Sequence, residues 1–212
     1  RRDYIDIYQF HTWAAKFNVY GEWFEALSKL KDEGKIRAVG VSVPDTKPDS
    51  VIGSLVNGRV DAVQVVYNIF ERYPEWNLFP VCKAHGIGVI ARVPFDEGVL
   101  TGKYTEETKF PEGDVRNFYF RGNNLKQVVK RVREIKVFKN SCHPAMPMAE
   151  YALRFCLSAD AVNTVIPGMR NAKQAGINTS VSDGKYLDKN ELKELERFTW
   201  RKDFWFEEPK EA

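Results

Sequence analysis

The sequence has no hydrophobic run long enough to cross a membrane. Its 212 residues contain no stretch of about 18 consecutive apolar residues, so no transmembrane helix is predicted. The first residues, Arg1-Arg2-Asp3-Tyr4, lack the apolar segment of a secretory signal peptide. We therefore expect a cytoplasmic protein without a membrane partner.

Cysteine and excess charge are also scarce. The three cysteines, Cys82, Cys142 and Cys156, are widely spaced and form no C-x-x-C pair, so neither a zinc site nor a redox motif is predicted. Reduced thiols fit the expected cytoplasmic location. The net charge of +3, with a pI near 8.6, is too small and too evenly spread to predict nucleic-acid binding.

Several common catalytic motifs are missing. The sequence has no P-loop, no H-E-x-x-H and no G-x-S-x-G. The segment Gly86–Ala91 matches G-x-G-x-x-A by letters, but it leads into a predicted strand rather than leaving one for a helix. That context is wrong for a dinucleotide-binding turn.

Apolar runs alternate with amphipathic segments along the chain. Strands are predicted at Ile5–Phe10, Ile36–Val43, Val60–Tyr67, Ile87–Val93 and Val162–Ile166. Helices are predicted at Glu22–Lys31, Thr46–Val56, Glu75–Ala84, Leu125–Phe138, Met146–Leu157, Ala172–Asn178 and Asp188–Thr199. Short Val/Ile-rich strands between helices indicate an α/β fold with a buried parallel sheet. The unit spacing favours a barrel, although an open sheet would give the same pattern.

One region departs from this alternation. Residues 96–147 form a long insertion after a strand, and the predicted helix at Leu125–Phe138 lies within it. Long loops in compact domains are usually lids or binding loops. We expect this insertion to have a functional role inside a single domain spanning 1–212.

Polar residues stand at or near the ends of four successive predicted strands: His11, Ser42, Gln64 and Arg92. In a barrel, strand carboxyl ends surround the active site, so these side chains together favour a shared pocket. Taken singly, each is equally compatible with ordinary strand termination, and His11 with a surface loop.

The segment Ile166–Asn171 follows the last strand and opens a helix. A helix amino terminus beside Arg170 suits a phosphate group. The alternative is a plain loop with a surface arginine.

Five segments in order resemble signatures of the aldo-keto reductase family: Asp3–His11, Gly34–Ser42, Gln64–Asn68, Gly98–Tyr104 and Ile166–Asn178. The resemblance implies a (β/α)8 TIM-barrel type of fold, with about five βα units present in this chain. It also implies an NADP(H)-dependent oxidoreductase that reduces a small aldehyde or ketone to an alcohol by hydride transfer.

The resemblance assigns a role to each matching residue. His11 corresponds to the catalytic histidine that orients the carbonyl, while Ser42 and Gln64 correspond to the residues that hold the nicotinamide carboxamide. The pyrophosphate loop corresponds to Phe95, Gly98, Leu100 and Gly102, and the adenosine end to Gly168, Arg170, Gln174 and Asn178.

Two residues depart from the family pattern. Val43 replaces a common asparagine, so one carboxamide contact is absent. Arg92 replaces an aromatic residue that stacks under the nicotinamide, and its charge is unfavourable beside an oxidised, positively charged ring. Trp13, just past His11, is a candidate for the substrate pocket.

By the same resemblance, the chain begins at the fourth barrel strand of the family. The first three βα units, which carry the catalytic Asp, Tyr and Lys, are then outside it, and Tyr67 is a weak substitute proton donor. Five strands would leave two open edges and strip partners from the inward faces of Ile5, Ile7, Val39, Val63, Val65 and Val89. We expect the C-terminal portion of a complete reductase.

Two other interpretations remain. The chain is an inactive NADP(H)-binding regulatory or interaction protein, as some relatives such as potassium-channel β subunits are, or a truncated remnant that self-associates. The tail at 200–212, with Trp200 and Phe204-Trp205-Phe206, either lines an apolar substrate pocket or docks the C-terminus.

Overall fold

The computed structural model describes residues 3–19 and 21–202. Five strands form one parallel sheet: Ile5–Phe10 (β1), Ile36–Ser42 (β2), Ala62–Val66 (β3), Gly88–Arg92 (β4) and Val162–Ile166 (β5). The strands lie in the order β1-β2-β3-β4-β5. A doubly wound sheet reverses its strand order at a switch point, and no reversal occurs along these five strands. The predicted α/β class is confirmed, and the consecutive order is that of a TIM-barrel segment.

Eight α helices are described: Glu22–Asp32 (α1), Ile52–Val56 (α2), Leu78–His85 (α3), Val115–Tyr119 (α4), Asn124–Cys142 (α5), Met148–Leu157 (α6), Ala172–Thr179 (α7) and Lys189–Glu194 (α8). Short 3-10 helices occur at Ala15–Asn18, Pro48–Val51, Tyr73–Glu75, Val99–Thr101 and Leu195–Phe198. Among the described residues, none of these helices is long and apolar enough to span a membrane.

Most predicted elements are confirmed, with shifts at their ends. The helix predicted at Thr46–Val56 is wrong as a single element, because a 3-10 turn from Pro48 to Val51 precedes α2. Proline has a fixed φ and no backbone N–H, which suits the first turn of a helix rather than its interior. The helix predicted at Leu125–Phe138 is confirmed and extends over Asn124–Cys142.

The described residues cluster into two compact units. The first contains the residues up to Tyr67, Arg72–Arg92 and Ala159–Val165, and it holds the sheet with α1, α2 and α3. The second contains Asn68–Glu71, Val93–Ser158 and the residues from Ile166 onward. Both lie within the span predicted as one domain.

The sheet has two faces of different character. Valines of β2, β3 and β4 on one face are enclosed in the hydrophobic core: Val39, Val41, Val63, Val65 and Val89 are at most 2% exposed. The expectation that Val39, Val63, Val65 and Val89 lose their partners is therefore wrong, because these residues alternate away from the inward face. Ile5 and Ile7 of β1 are 48% and 40% exposed, as expected for an edge strand.

The opposite face carries the polar side chains near the carboxyl ends of the strands, together with glycine, alanine and isoleucine residues. The strand register pairs Gln9 with Gly40 and Ser42 with Gln64, and it pairs Val66 with Arg92. Since paired residues of parallel strands point to the same side, this face collects the side chains that the sequence singled out. It is called the polar face below.

Candidate functional site

The polar face of the first unit brings together three of the predicted residues. Ser42 is the last residue of β2, Gln64 lies in β3, and Arg92 ends β4. Because the strands are parallel and in consecutive order, their carboxyl ends meet at one edge of the sheet. His11 directly follows β1 at the same edge and is exposed.

Ser42 presents a buried hydroxyl. The residue is 3% exposed, and its Oγ has no hydrogen-bond partner within the described part of the chain. Buried polar atoms are almost always paired, and no protein group within the described residues occupies the hydrogen-bonding capacity of this hydroxyl. The Ser42 hydroxyl can therefore hydrogen-bond a bound amide.

The amide of Gln64 is oriented by a neighbour that sequence reasoning missed. Gln64 Nε2 donates a hydrogen bond of 3.0 Å to Gln9 Oε1, which fixes which end of the amide points toward the remaining space. The Oε1 atom of Gln64 is then the end available to accept a hydrogen bond. Gln9 could have been found from its position in β1, two residues before His11, which follows that strand.

Arg92 is paired through its guanidinium. Its Nη2 donates to the Val43 carbonyl oxygen at 2.9 Å and to Asp45 Oδ1 at 2.5 Å, while its Nε is buried without a partner among the described residues. The negative charge of the Asp45 carboxylate therefore offsets much of the positive charge of Arg92, which the sequence predicts to be unfavourable beside an oxidised nicotinamide ring. Asp45 was also missed, because it lies in a loop whose path depends on the fold.

The predicted substrate residue Trp13 lies in an aromatic cluster. It is 2% exposed, and its indole N–H donates to the Ser50 carbonyl oxygen at 3.1 Å. Phe10, Phe17 and Trp23 surround the ring at centroid distances of 6.0, 5.6 and 5.2 Å. These contacts show that Trp13 packs within a buried aromatic cluster, and a role of Trp13 in substrate binding stays a prediction.

The second unit contains the predicted pyrophosphate loop, residues 95–102. Gly98 has φ +95°, and a Cβ there would lie 2.7 Å from the Tyr104 hydroxyl oxygen, so only glycine fits. The Phe95 carbonyl accepts hydrogen bonds from Gly98 N–H at 2.9 Å and from Leu100 N–H at 3.0 Å. Leu100 is fully buried and Gly102 ends the turn with φ +72°.

The loop before α7 is organised by helix capping. The Asn171 side chain accepts from Gln174 N–H at 2.9 Å, and Gln174 Oε1 accepts from Arg170 N–H at 2.7 Å. This reciprocal arrangement satisfies amino-terminal N–H groups of the helix. The amide oxygen of Gln174 is therefore engaged in a hydrogen bond within this loop. Gly168 and the Arg170 side chain are exposed, and Asn178 is buried in α7.

Two further cations lie near Arg170. Partial burial and the guanidinium groups of Arg170 and Arg116 lower the pKa of Lys103 below its ordinary value. Arg116 is itself held by Asp114, at 2.8 Å and 2.5 Å, and this pairing lowers the pKa of Asp114 to about 2. We call Lys103, Arg116 and Arg170 the cationic group. Like charges held close together suit a dianionic phosphate.

Tyr67, the substitute proton donor considered from the sequence, and the buried Tyr119 are both engaged with carboxylates. The Tyr67 hydroxyl donates to Glu75 Oε1 at 2.6 Å, and the ring is 1% exposed. Tyr119 donates to Asp96 Oδ1 at 3.0 Å, and burial together with the Asp96 charge raises its pKa. Neither phenol is suited to protonate a developing alkoxide at neutral pH.

The first unit thus has the architecture of a parallel α/β sheet with polar groups near its carboxyl edge. A sequence profile of the Aldo/keto reductase family matches residues 1–199, so the chain belongs to the Aldo/keto reductase family. The resemblance seen in the five sequence segments is confirmed.

Individual relatives agree with this assignment. The chain is 29% identical to the uncharacterized oxidoreductase YqkF of Bacillus subtilis, covering 94% of this chain and 61% of the relative. It is 29% identical to the NADH-specific methylglyoxal reductase of Escherichia coli, covering 92% and 61%. The glycerol dehydrogenase from Gluconobacter oxydans superposes with a TM-score of 0.75 at 26% identity, covering 92% of this chain and 58% of that one. The chain spans about three fifths of the length of these relatives.

Proposed function

We propose that this chain supplies the carbonyl-orienting and cofactor-binding residues of an NADP(H)-dependent oxidoreductase that reduces a small aldehyde or ketone. The observation that carries the proposal is the buried hydroxyl of Ser42 beside Gln64 on the polar face, which has no hydrogen-bond partner among the residues that the structure describes. A nicotinamide carboxamide has one acceptor and one N–H donor group, and these two side chains offer the complementary pair.

The cofactor supplies the hydride to the carbonyl carbon. The chain's own residues bind and orient. His11 donates a hydrogen bond to the carbonyl oxygen, which favours the negative charge that develops there. Ser42 Oγ and Gln64 Oε1 hold the carboxamide, and Gln9 keeps the Gln64 amide in the required orientation.

The family resemblance also assigns residues to the phosphates of the cofactor. The loop at 95–102 receives the pyrophosphate, and the cationic group receives the 2′-phosphate that distinguishes NADPH from NADH. Gly168 and Asn178 lie along the adenosine, as the family resemblance implies. Lys103 supports the assignment to NADP(H), because it is close enough to Arg170 for the two charges to interact and could add a charge-assisted contact to the 2′-phosphate. Arg116 is paired with Asp114.

Arg92 takes the place beside the nicotinamide ring. A guanidinium can stack on a flat ring, and the Asp45 pairing reduces its repulsion toward the oxidised cofactor. Trp13, together with the aromatic side chains packed around it, remains the candidate for an apolar contact with the substrate. The proposed location of the protein is the cytoplasm.

Binding and turnover are measured separately. NADPH is titrated into the purified chain and followed by quenching of tryptophan fluorescence. NADPH oxidation by the full-length protein, which is expected to carry the family's proton donor, is followed at the absorbance of NADPH with small aldehydes, ketones and quinones. We expect micromolar binding, with Ser42→Ala weakening it about tenfold by removal of one hydrogen bond. Carbonyl-dependent oxidation that falls about 100-fold in His11→Ala is the expected catalytic result.

A second function is favoured by the engagement of Tyr67 and Tyr119 with carboxylates. In this interpretation the chain is an NADP(H)-binding regulatory or interaction protein without turnover. Tight NADPH binding with no oxidation in the presence of any carbonyl supports it over the reductase. Absence of NADPH binding overturns both, and self-association of the purified chain would then favour a remnant.

A further inference from the structure

A buried ion pair in the second unit joins two segments 106 residues apart in sequence. The Lys202 side chain is fully enclosed, and its ammonium group donates to Asp96 Oδ1, whose side chain is 1% exposed. The Tyr119 hydroxyl lies 3.2 Å from Lys202 Nζ and donates to the same carboxylate at 3.0 Å. Charges removed from water persist only when they are paired in this way.

The backbone before Lys202 is fastened as well. Trp200 N–H donates to the Phe70 carbonyl oxygen at 2.9 Å, and the two rings pack edge to face at 5.9 Å. The Arg131 guanidinium of α5 lies 4.3 Å from the Trp200 ring centroid. Residues 200–202 are therefore anchored independently of the ion pair.

The other end of the ion pair lies in a strained loop. Asp96 and Glu97 have φ of +47° and +55°, and Val93 has φ +55°. These are left-handed conformations that residues other than glycine seldom adopt, least of all a β-branched one. Such conformations persist only where surrounding contacts enforce them. The buried contacts of the Asp96 carboxylate with Lys202 and Tyr119 are contacts of that kind.

We propose that Lys202 is a positioning residue for the cofactor. Through Asp96 it holds residues 95–102 in the conformation that receives the pyrophosphate, while touching neither the cofactor nor the substrate. The predicted effect of Lys202 on cofactor binding rests on the proposed function. The part that concerns loop conformation is independent of any ligand.

The test compares Lys202→Met with the parent chain and with Lys136→Met, which alters an exposed lysine of α5. Because Lys202→Met leaves the Asp96 carboxylate buried without its cation, the double variant Asp96→Asn/Lys202→Met is made in parallel. The double variant removes both charges and leaves no charged Asp96 carboxylate in the interior. The Glu71 carboxylate, 3.7 Å from Lys202 Nζ, also loses this cation, but it is 19% exposed to water. Circular dichroism establishes which variants are folded.

Two ligands separate a local effect from a general one. NADPH contains the pyrophosphate, whereas 2′-AMP offers only the 2′-phosphoadenosine end. We expect the folded double variant to bind NADPH about tenfold more weakly and 2′-AMP within about twofold of the parent chain. Unchanged NADPH affinity, or equal loss for both ligands, would overturn the positioning role.

Amide hydrogen exchange gives the readout that needs no cofactor. Exchange within residues 95–102 should accelerate about tenfold in the double variant, while exchange in α5 and in Lys136→Met stays at the parental rate. Unaltered exchange in this loop overturns the proposal even if NADPH binds. Failure of the parent chain to bind NADPH would instead overturn the proposed function, and the exchange result would still decide whether Lys202 holds the loop.

Discussion

Gln9 and Gln64 join the first and third strands of the sheet across the strand between them. Gln64 Nε2 donates to Gln9 Oε1 at 3.0 Å, and the side chain of Gln9 reaches over Gly40 of β2. A Cβ at Gly40 would lie 2.7 Å from Gln9 Cγ and 3.0 Å from an Ile7 methyl carbon. The orientation of the Gln64 amide, which we propose binds the nicotinamide carboxamide, therefore depends on Gly40, because a side chain at that position would displace Gln9.

Replacing Gly40 by alanine tests this relationship. We expect Gly40→Ala to push Gln9 aside, break its bond to Gln64 and lower the free energy of unfolding by about 1 to 3 kcal/mol. Urea denaturation measures the change. Gly176→Ala is the control, because a Cβ at Gly176 meets nothing within 4 Å. Gly40→Ala combined with Gln9→Ala should recover part of the loss, and no recovery would contradict the assigned clash.

The cationic group predicts cofactor choice. Arg170→Ala should weaken NADPH binding about tenfold or more while leaving NADH within about twofold, since only NADPH carries the 2′-phosphate. Lys103→Ala should act in the same direction. Titration calorimetry with both cofactors measures the difference, with Lys136→Ala as the control for loss of a surface charge. Equal losses for NADPH and NADH would show that Arg170 does not bind the 2′-phosphate.

The pairing of Asp45 with Arg92 predicts how Asp45→Asn changes the affinity for NADP+ relative to that for NADPH. Asp45→Asn leaves the Arg92 guanidinium without its carboxylate, so NADP+ should bind about fivefold more weakly relative to NADPH. That ratio corresponds to about 1 kcal/mol, the repulsion of two unit charges at about 4 Å in water. The ratio of dissociation constants is the measurement. An unchanged ratio would place Arg92 away from the nicotinamide.

The thiols predict a labelling pattern. Cys142 is exposed, while Cys82 and Cys156 are buried. Burial raises the pKa of Cys82 to about 11 and also raises that of Cys156. Iodoacetamide at pH 8 should therefore modify Cys142 alone in the folded chain and all three thiols in denaturant, as counted by mass spectrometry. Cys142→Ser should abolish native labelling, and rapid modification of Cys82 would contradict its burial.

Asp114 predicts a change of stability with acid. Its pKa lies at about 2, below its ordinary 3.8, because of the hydrogen bonds from Arg116. A depressed folded-state pKa stabilises the folded protein above the unfolded pKa, and that contribution disappears as the pH falls through about 4 to 2. The stability difference between the parent chain and Asp114→Asn should shrink across this window. Urea midpoints measure it, and a constant difference would contradict the ion pair.

Local sequence patterns were sufficient to predict the strands, most helices and the residues at the strand ends. Alternating apolar residues define the strands, so their pattern alone places Ser42, Gln64 and Arg92 at one edge of the sheet. The contacts of Gln9, Asp45 and Lys103 required the folded chain, since each depends on neighbours from another strand or loop.

The sequence by itself determined the family, the α/β class and the identity of the residues that meet at the carboxyl edge of the sheet. Tertiary structure decided how those residues are held. Nothing local predicts that Lys202 lies against Asp96. Strand alternation, in contrast, already places Val39, Val63, Val65 and Val89 on the face opposite Ser42, Gln64 and Arg92, where the structure buries them. Sequence periodicity shows which side of a strand a residue faces. Only the tertiary structure decides which elements pack against that side and which distant charged residue is paired in the interior.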